Sequence, residues 1–134
     1  MNSLYLLDTN TASYVIKGNI PSVHKKLLTL SMSQVCISTI TQAELLYGAA
    51  KRPEAKHLKI AIHEFMIRIN ILPWDDEAAE QYALVRAALE KKGKPLGNMD
   101  MLIAAHALAI QGVLVSNDHA FKQVKHLKLE NWAQ

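Results

Sequence analysis

Four acidic residues, far apart in the chain, sit where apolar runs end or begin. Asp8 closes the apolar run 4–7, and Asp118 follows the run 113–116 in the tripeptide Ser116-Asn117-Asp118. Glu44 lies one helical turn into the amphipathic stretch after the run 35–38. Asp100 opens the apolar stretch 101–108, just past the turn residues Gly97 and Asn98. Two carboxylates about 5 Å apart repel by roughly 3 kcal/mol at an effective dielectric of about 20. Four together would hold one another's pKa values up unless a cation neutralised them. Oxygen-only ligands select hard cations, Mg2+ or Mn2+, over zinc. Mg2+ keeps waters and takes one or two protein carboxylates together with substrate phosphate. This residue set therefore points to metal-assisted chemistry on a polyanion, with Lys and Arg holding the polyanion's backbone.

Whether the acids meet depends on the elements that carry them. The runs 4–7, 35–38, 69–72 and 113–116 are short and apolar, which reads as buried strands. Pro73 stops the third run, and Gly112 leads into the fourth. Residues 127–129 suggest a short edge strand. Helical periods lie between these runs. Ala43 to Tyr47 begins one; Leu58, Ile62, Phe65, Met66 and Ile69 mark one face of another; Tyr82, Val85, Arg86 and Leu89 follow the acidic start Asp75-Asp76-Glu77. The stretch 101–108 is apolar nearly all round, so its helix should be buried. Strands alternating with helices predict a mostly parallel sheet with helices on both faces. In such sheets ligands bind beyond the carboxyl ends of the strands, near a switch in strand order. Asp8, Glu44 and Asp118 then lie at that edge. Asp100 joins them, because its helix must run back across the sheet.

Composition sets the class. The 134 residues (14.9 kDa) are 50% hydrophobic and 20% charged, which describes one globular domain over 1–134 and not a disordered chain. Fifteen Lys and Arg against twelve Asp and Glu give a net charge of +3, which permits an anionic partner without demanding one. A single cysteine, Cys36, excludes an internal disulfide framework and a four-cysteine zinc site. No apolar run approaches the roughly 18 residues of a membrane span. The N-terminus has no basic lead and meets Asp8 after four apolar residues. Neither a membrane anchor nor a signal peptide is expected, and the chain reads as cytoplasmic.

Each acid also has an ordinary structural use. Thr41-Gln42-Ala43-Glu44 fits a capping box, in which Glu44 would bond back to the cap. Asp100 suits a helix N-terminus, and Asp118 suits a cap for His119-Ala120-Phe121. Asp8 is hardest to explain this way, since Thr9-Asn10 behind it can cap a helix themselves. Asp75-Asp76-Glu77 is a denser acidic cluster than any of these and reads as helix-start charge. His106, in an apolar helix, reads as a satisfied core or interface residue. Cys36 reads as an inert buried thiol, and Met66, Met99 and Met101 as gap fillers.

The segments Leu6-Leu7-Asp8-Thr9-Asn10 and Ser38-Thr39-Ile40-Thr41-Gln42-Ala43-Glu44-Leu45-Leu46-Tyr47-Gly48-Ala49 resemble the first half of a PIN-domain ribonuclease. Lys94 to Ala107, centred on Gly97-Asn98-Met99-Asp100, resembles its third acidic motif, and Leu114 to Phe121 resembles the fourth. The ending Glu130-Asn131-Trp132 is similar to that of VapC-type toxins of toxin–antitoxin pairs. The match runs essentially from end to end. It implies an α/β/α three-layer sandwich and a Mg2+- or Mn2+-dependent endoribonuclease. It also implies a homodimer, neutralised in a larger hetero-oligomer by a cognate antitoxin that carries a DNA-binding domain. Asp8, Glu44, Asp100 and Asp118 match the family's acidic quartet, of which the fourth position is the most variable. Ser116 stands where Thr is common, which keeps the hydroxyl. Some relatives of this type cut a tRNA in its anticodon stem-loop, so a structured RNA is the implied substrate class.

On this reading Asp8 and Asp100 hold the principal metal, with Asp118 as a direct or water-mediated ligand. Glu44 holds a second metal or orients the attacking water. A bound metal lowers the pKa of water and stabilises charge on the scissile phosphate. Asn10, Ser116 and Asn117 are the candidates for orienting the carboxylates, with turn and cap formation as their alternative use. Lys51, Arg52, Lys91, Lys92 and Lys94 are the candidates for holding RNA, with a solvated helix face as the alternative. Tyr47 or Trp74 would stack on bases if core packing did not claim them. The apolar faces around Leu45, Leu46 and Leu58 are candidates for the dimer or antitoxin contact. Two competing functions remain at this point: a catalytically silent PIN-like module that binds RNA or protein, and an aspartyl-phosphate phosphotransferase using Asp8. The second is disfavoured because Asn10 stands where such families place another Asp.

Overall fold

Neighbouring residues of the first strand, β1 (Tyr5–Leu7), enter two different cores. Leu7 joins Val35, Ile37 and Val115, whereas Leu6 joins Cys36 and Leu114. That alternation is the pleat of a sheet buried on both faces. The computed structural model describes residues 3–93 and 96–134. Its sheet contains β1, β2 (Val35–Ser38), β3 (Asn70–Leu72), β4 (Val113–Val115) and β5 (Lys128–Glu130), in the order β3-β2-β1-β4-β5. Every pair is parallel. The central strands β2 and β4 are buried throughout, while the edge strands β3 and β5 start on the exposed residues Asn70 and Lys128.

The chain builds outward from β1 through β2 to β3, then returns to lay β4 against the other side of β1. The boundary between β1 and β4 is therefore the switch point. Gly112 sets that boundary, because a Cβ there would stand 2.9 Å from the Leu4 carbonyl oxygen. The next amide, Val113 N–H, donates to that same oxygen at 2.8 Å.

Helices α1 (Thr9–Lys17), α2 (Pro21–Leu28), α3 (Thr39–Ala50) and α4 (Lys56–Arg68) cover one face, through Ala12, Val23, Leu45 and Phe65 among others. Helices α5 (Asp76–Lys91) and α6 (Asn98–Ala109) cover the other, through Val85, Leu89, Met101 and Ile103. The result is the expected α/β/α sandwich, parallel throughout. No helix among the described residues is long and apolar enough to cross a membrane.

Three local expectations change. The stretch 9–28 shows no helical period beyond the candidate cap at Thr9-Asn10, yet it forms two helices. Gly18 closes α1 with φ 64, donating its N–H to the Tyr14 carbonyl, and Pro21 opens α2. Helix α3 starts at Thr39, earlier than the periodicity indicated, because Ser38 is its cap and accepts from Ile40 N–H. Thr41 is therefore a buried first-turn residue, and Glu44 belongs to no capping box. The acidic start of α5 behaves as expected: Asp75 caps it by accepting from Ala78 N–H, and Asp76 and Glu77 lie in the first turn.

Candidate active site

The ends of β1 and β4 are tied together at the residues that carry the chemistry. Asp8 N–H donates to the Val115 carbonyl at 3.0 Å, and the Thr11 hydroxyl donates to that same oxygen at 3.1 Å. Asp8 then caps α1, its Oδ1 accepting from Thr11 N–H at 2.8 Å. The ordinary use expected of Thr9 or Asn10 thus falls to Asp8 itself. Only 5% of its surface is exposed, and Oδ2 makes no hydrogen bond to another described residue.

On the other side of the switch point, Ser116 N–H donates to the Glu130 carbonyl at 2.9 Å, and Ser116 Oγ accepts from Asp118 N–H at 3.0 Å. The buried Ser116 thereby shapes the turn that presents Asp118. Asp118 caps the short 3₁₀ helix His119–Gln123 through Oδ1, which accepts from Ala120 N–H at 2.9 Å. It is the exposed member of the four. Glu44, in α3, accepts from the Thr9 hydroxyl at 2.5 Å. Asp100 stands in the first turn of α6, half-buried.

Burial holds the Asp100 carboxyl above the usual carboxylate range, and the charges of Asp118, Asp8 and Glu44 push it further, in that order. The charges of three acids from separate motifs thus bear on Asp100 at one edge of the sheet. A raised carboxyl in such a setting marks a functional-site candidate.

The donor set suits a hard cation. All four groups offer oxygen, and the Oδ1 caps of Asp8 and Asp118 leave each carboxylate a second oxygen. Among the described residues, no three His, Cys, Asp or Glu side chains form a cage that would hold a metal by themselves. The fit is therefore to a cation that takes one or two carboxylates and completes its shell with water and substrate phosphate.

The residues expected to orient the acids fare differently. Ser116 acts on the Asp118 backbone. Asn117 donates its Nδ2 to the Tyr14 hydroxyl at 2.9 Å, pinning the loop after β4 to α1 instead of touching a carboxylate. Asn10 is exposed and makes no side-chain hydrogen bond to a described acid. The basic residues also separate. Lys51 and Arg52 are exposed beyond α3, where Lys51 Nζ lies 5.1 Å from the centre of the Tyr47 ring. Lys92 lines a cleft with Leu108 and His126, beside the starts of β4 and β5, at the opposite edge from the acids; Lys91 is its exposed neighbour. Lys94 lies outside the described residues.

Several contacts were not legible beforehand. The sequence offers Thr9 only as a cap, and nothing in its spacing reveals a partner in α3. His106 Nδ1 and Ser38 Oγ lie 2.7 Å apart, joining α6 to the cap of α3. Burial lowers the pKa of this His, with Asp75 opposing. Trp74 donates its indole N–H to the Leu102 carbonyl at 2.9 Å. Tyr47, expected in the core, is 65% exposed, and its neighbour Leu46 is exposed too, because Leu45 and Ala49 already supply the buried side of α3. Met66 and Met101 fill cores, but Met99, beside Asp100, is 40% exposed. The Cys36 thiol is pushed up to about 12 by burial, as an inert thiol should be.

The PIN domain family model matches residues 5–127, a span that contains all four acids. The chain belongs to the PIN-domain family. Among similar PIN-domain proteins are the tRNA(fMet)-specific endonuclease VapC of Salmonella typhimurium, 36% identical over 96% of this chain and 97% of the relative. Ribonuclease VapC2 of Rickettsia felis is 36% identical over 96% and 98%. Solved structures agree. VapBC2 from Rickettsia felis bound to a promoter DNA fragment superposes with a TM-score of 0.89 at 35% identity, covering 96% of this chain and 98% of that one. DNA-bound VapBC from Salmonella typhimurium gives 0.90 at 33% identity, covering 98% and 99%.

Proposed function

We propose that this PIN-domain protein is a divalent-metal-dependent endoribonuclease of the VapC kind, the toxin of a toxin–antitoxin pair, acting on a tRNA. The observation that carries the reading is the convergence of Asp8, Glu44 and Asp118 on the Asp100 carboxyl. The ribonuclease names of relatives at 36% identity support the substrate class, and the VapBC complexes support an antitoxin partner. The reading includes a homodimer, assembly with a DNA-binding antitoxin, and a cytoplasmic location alongside the RNA.

Asp8 and Asp100 would hold Mg2+ or Mn2+, with Asp118 in direct or water-mediated contact. The cation, when bound, neutralises the acids and the scissile phosphate and lowers the pKa of water. Glu44, its carboxylate fixed by the Thr9 hydroxyl, orients the attacking water and accepts its proton. Attack in line with the leaving 3′-oxygen yields a 5′-phosphate and a 3′-hydroxyl. A histidine mechanism through the 2′-hydroxyl would leave a cyclic phosphate instead.

The test is cleavage of total RNA by purified, antitoxin-free protein with Mg2+ or Mn2+, with EDTA, and with Asp100→Asn, followed by mapping of the new ends. A discrete cut bearing a 5′-phosphate, absent with EDTA and in the variant, is expected. Equal cleavage by wild type and variant would refute the assignment.

A further inference from the structure

Lys91 and Lys92, at the end of α5, do not gather beside the acids, so a phosphate-holding cation is sought among the other described residues. Between the ends of β4 and β5 a cleft of about 200 Å³ opens against Asp118 itself. Its lining includes Asn117, Asp118, Lys122, Leu129 and Asn131. Asp118 belongs at once to this cleft and to the acids acting on Asp100, so the two spaces share a wall.

The polar groups around the cleft are largely uncommitted. Lys122 is exposed and forms no ion pair with a described acid. Asn131 Oδ1 accepts from Ala133 N–H, which leaves both hydrogens of its Nδ2 free of described partners. Asn117 donates Nδ2 to Tyr14, which leaves its Oδ1 free of described partners. A cation, an amide donor and an amide acceptor thus surround a space below the roughly 300 Å³ at which drug-sized pockets begin. That volume suits one sugar–phosphate unit.

We propose that this cleft is a ribose–phosphate subsite for the nucleotide adjoining the scissile bond. Lys122 takes the flanking phosphate, and Asn131 and Asn117 take the sugar's 2′-hydroxyl, which is both donor and acceptor. The proposal rests on the nuclease reading above and adds the residues that hold the strand in register over the acids.

The test uses the full chain carrying Asp100→Asn, so that RNA is bound without being cut. The probes are a labelled anticodon stem-loop RNA and the DNA hairpin of the same sequence, titrated at several salt concentrations. Adding Lys122→Ala is expected to weaken RNA binding and to flatten the plot of log K against log salt by about 0.7, the share of one phosphate contact on a single strand. Adding Asn131→Leu is expected to bring RNA affinity towards that for DNA while leaving the slope unchanged. Lys122→Ala with the parent's affinity and slope overturns the phosphate assignment, and equal losses on RNA and DNA for Asn131→Leu overturn the sugar assignment. Wild-type protein is assayed for cleavage of the same stem-loop alongside. Absence of metal-dependent cleavage, with the Lys122 effect intact, would sink the nuclease reading and with it the cleft's place beside a scissile bond, leaving only its hold on RNA.

Discussion

Asp75, Asp76 and Glu77 are consecutive, whereas Asp8, Glu44, Asp100 and Asp118 come from four separate places in the chain. The consecutive acids are the more conspicuous in sequence, but the fold uses them locally. Asp75 caps α5, and the other two lie exposed in its first turn, where the helix dipole favours them. The four scattered acids are drawn to one sheet edge by topology, and together with burial they disfavour the ionised Asp100. Charge density along the sequence and charge density in space are therefore different quantities, and only the second asks for a cation. The comparison also removes a false choice. Asp8 and Asp118 are both helix caps, yet capping engages one oxygen of each and leaves the other for chemistry.

The largest effect that would break this comparison is on cleavage. Asp8→Asn and Asp100→Asn should each lower single-turnover RNA cleavage by about 10²- to 10⁴-fold, the range for loss of a positioned catalytic group. Asp76→Asn should leave the rate within about twofold. A comparable loss from Asp76→Asn would move the site to the start of α5 and dissolve the distinction.

Next in size is the response to metal. Mg2+ at about 100 times its dissociation constant should add about 2.7 kcal/mol to the unfolding free energy, by mass action on the native state alone. Melting curves with and without Mg2+ measure it. The increment should be largely lost in Asp100→Asn and kept in Asp76→Asn. Equal stabilisation of both variants would mean that the cation binds away from the four acids.

The elements that position the acids were legible because burial on two faces leaves little choice of residue. The apolar runs that became β2 and β4 could serve as little else than inner strands, and Asp8 and Asp118 follow from where β1 and β4 stop. Helices α1 and α2 were hidden because each is short and Gly18 and Pro21 interrupt the period. The partner of Glu44 was hidden for another reason. Thr9 meets it only because α1 and α3 both begin at the carboxyl edge, which is a fact of topology and not of spacing. For Lys91 and Lys92 nearness to Asp100 in sequence does not become nearness in space, since α5 ends beside Leu108 and His126 before the chain returns to Asp100. Lys122 drew no attention, because its nearness to Asp118 matters only once the cleft between β4 and β5 exists.

The smallest effect sharpens the comparison without assaying activity. Folding raises the Asp100 pKa, so the folded state prefers this carboxyl protonated. Its contribution favours folding below the ordinary aspartate value of about 3.9 and is lost as pH rises through the raised value. At neutral pH, without metal, ionised Asp100 is therefore a cost that Asp100→Asn removes. The variant should melt slightly above wild type at neutral pH in EDTA, and this gain should shrink to nothing as the pH falls below about 3.9. The gain should stay below about 1 kcal/mol, because Asp100 is only partly buried and water screens the repulsion. Adding Mg2+ should reverse the order of the two melting points, since the ionised carboxylate then gains a cation that the amide cannot hold as well. A variant that melts below wild type in EDTA at neutral pH would show that the other three acids do not burden Asp100, and the case for a cation among them would fall with it.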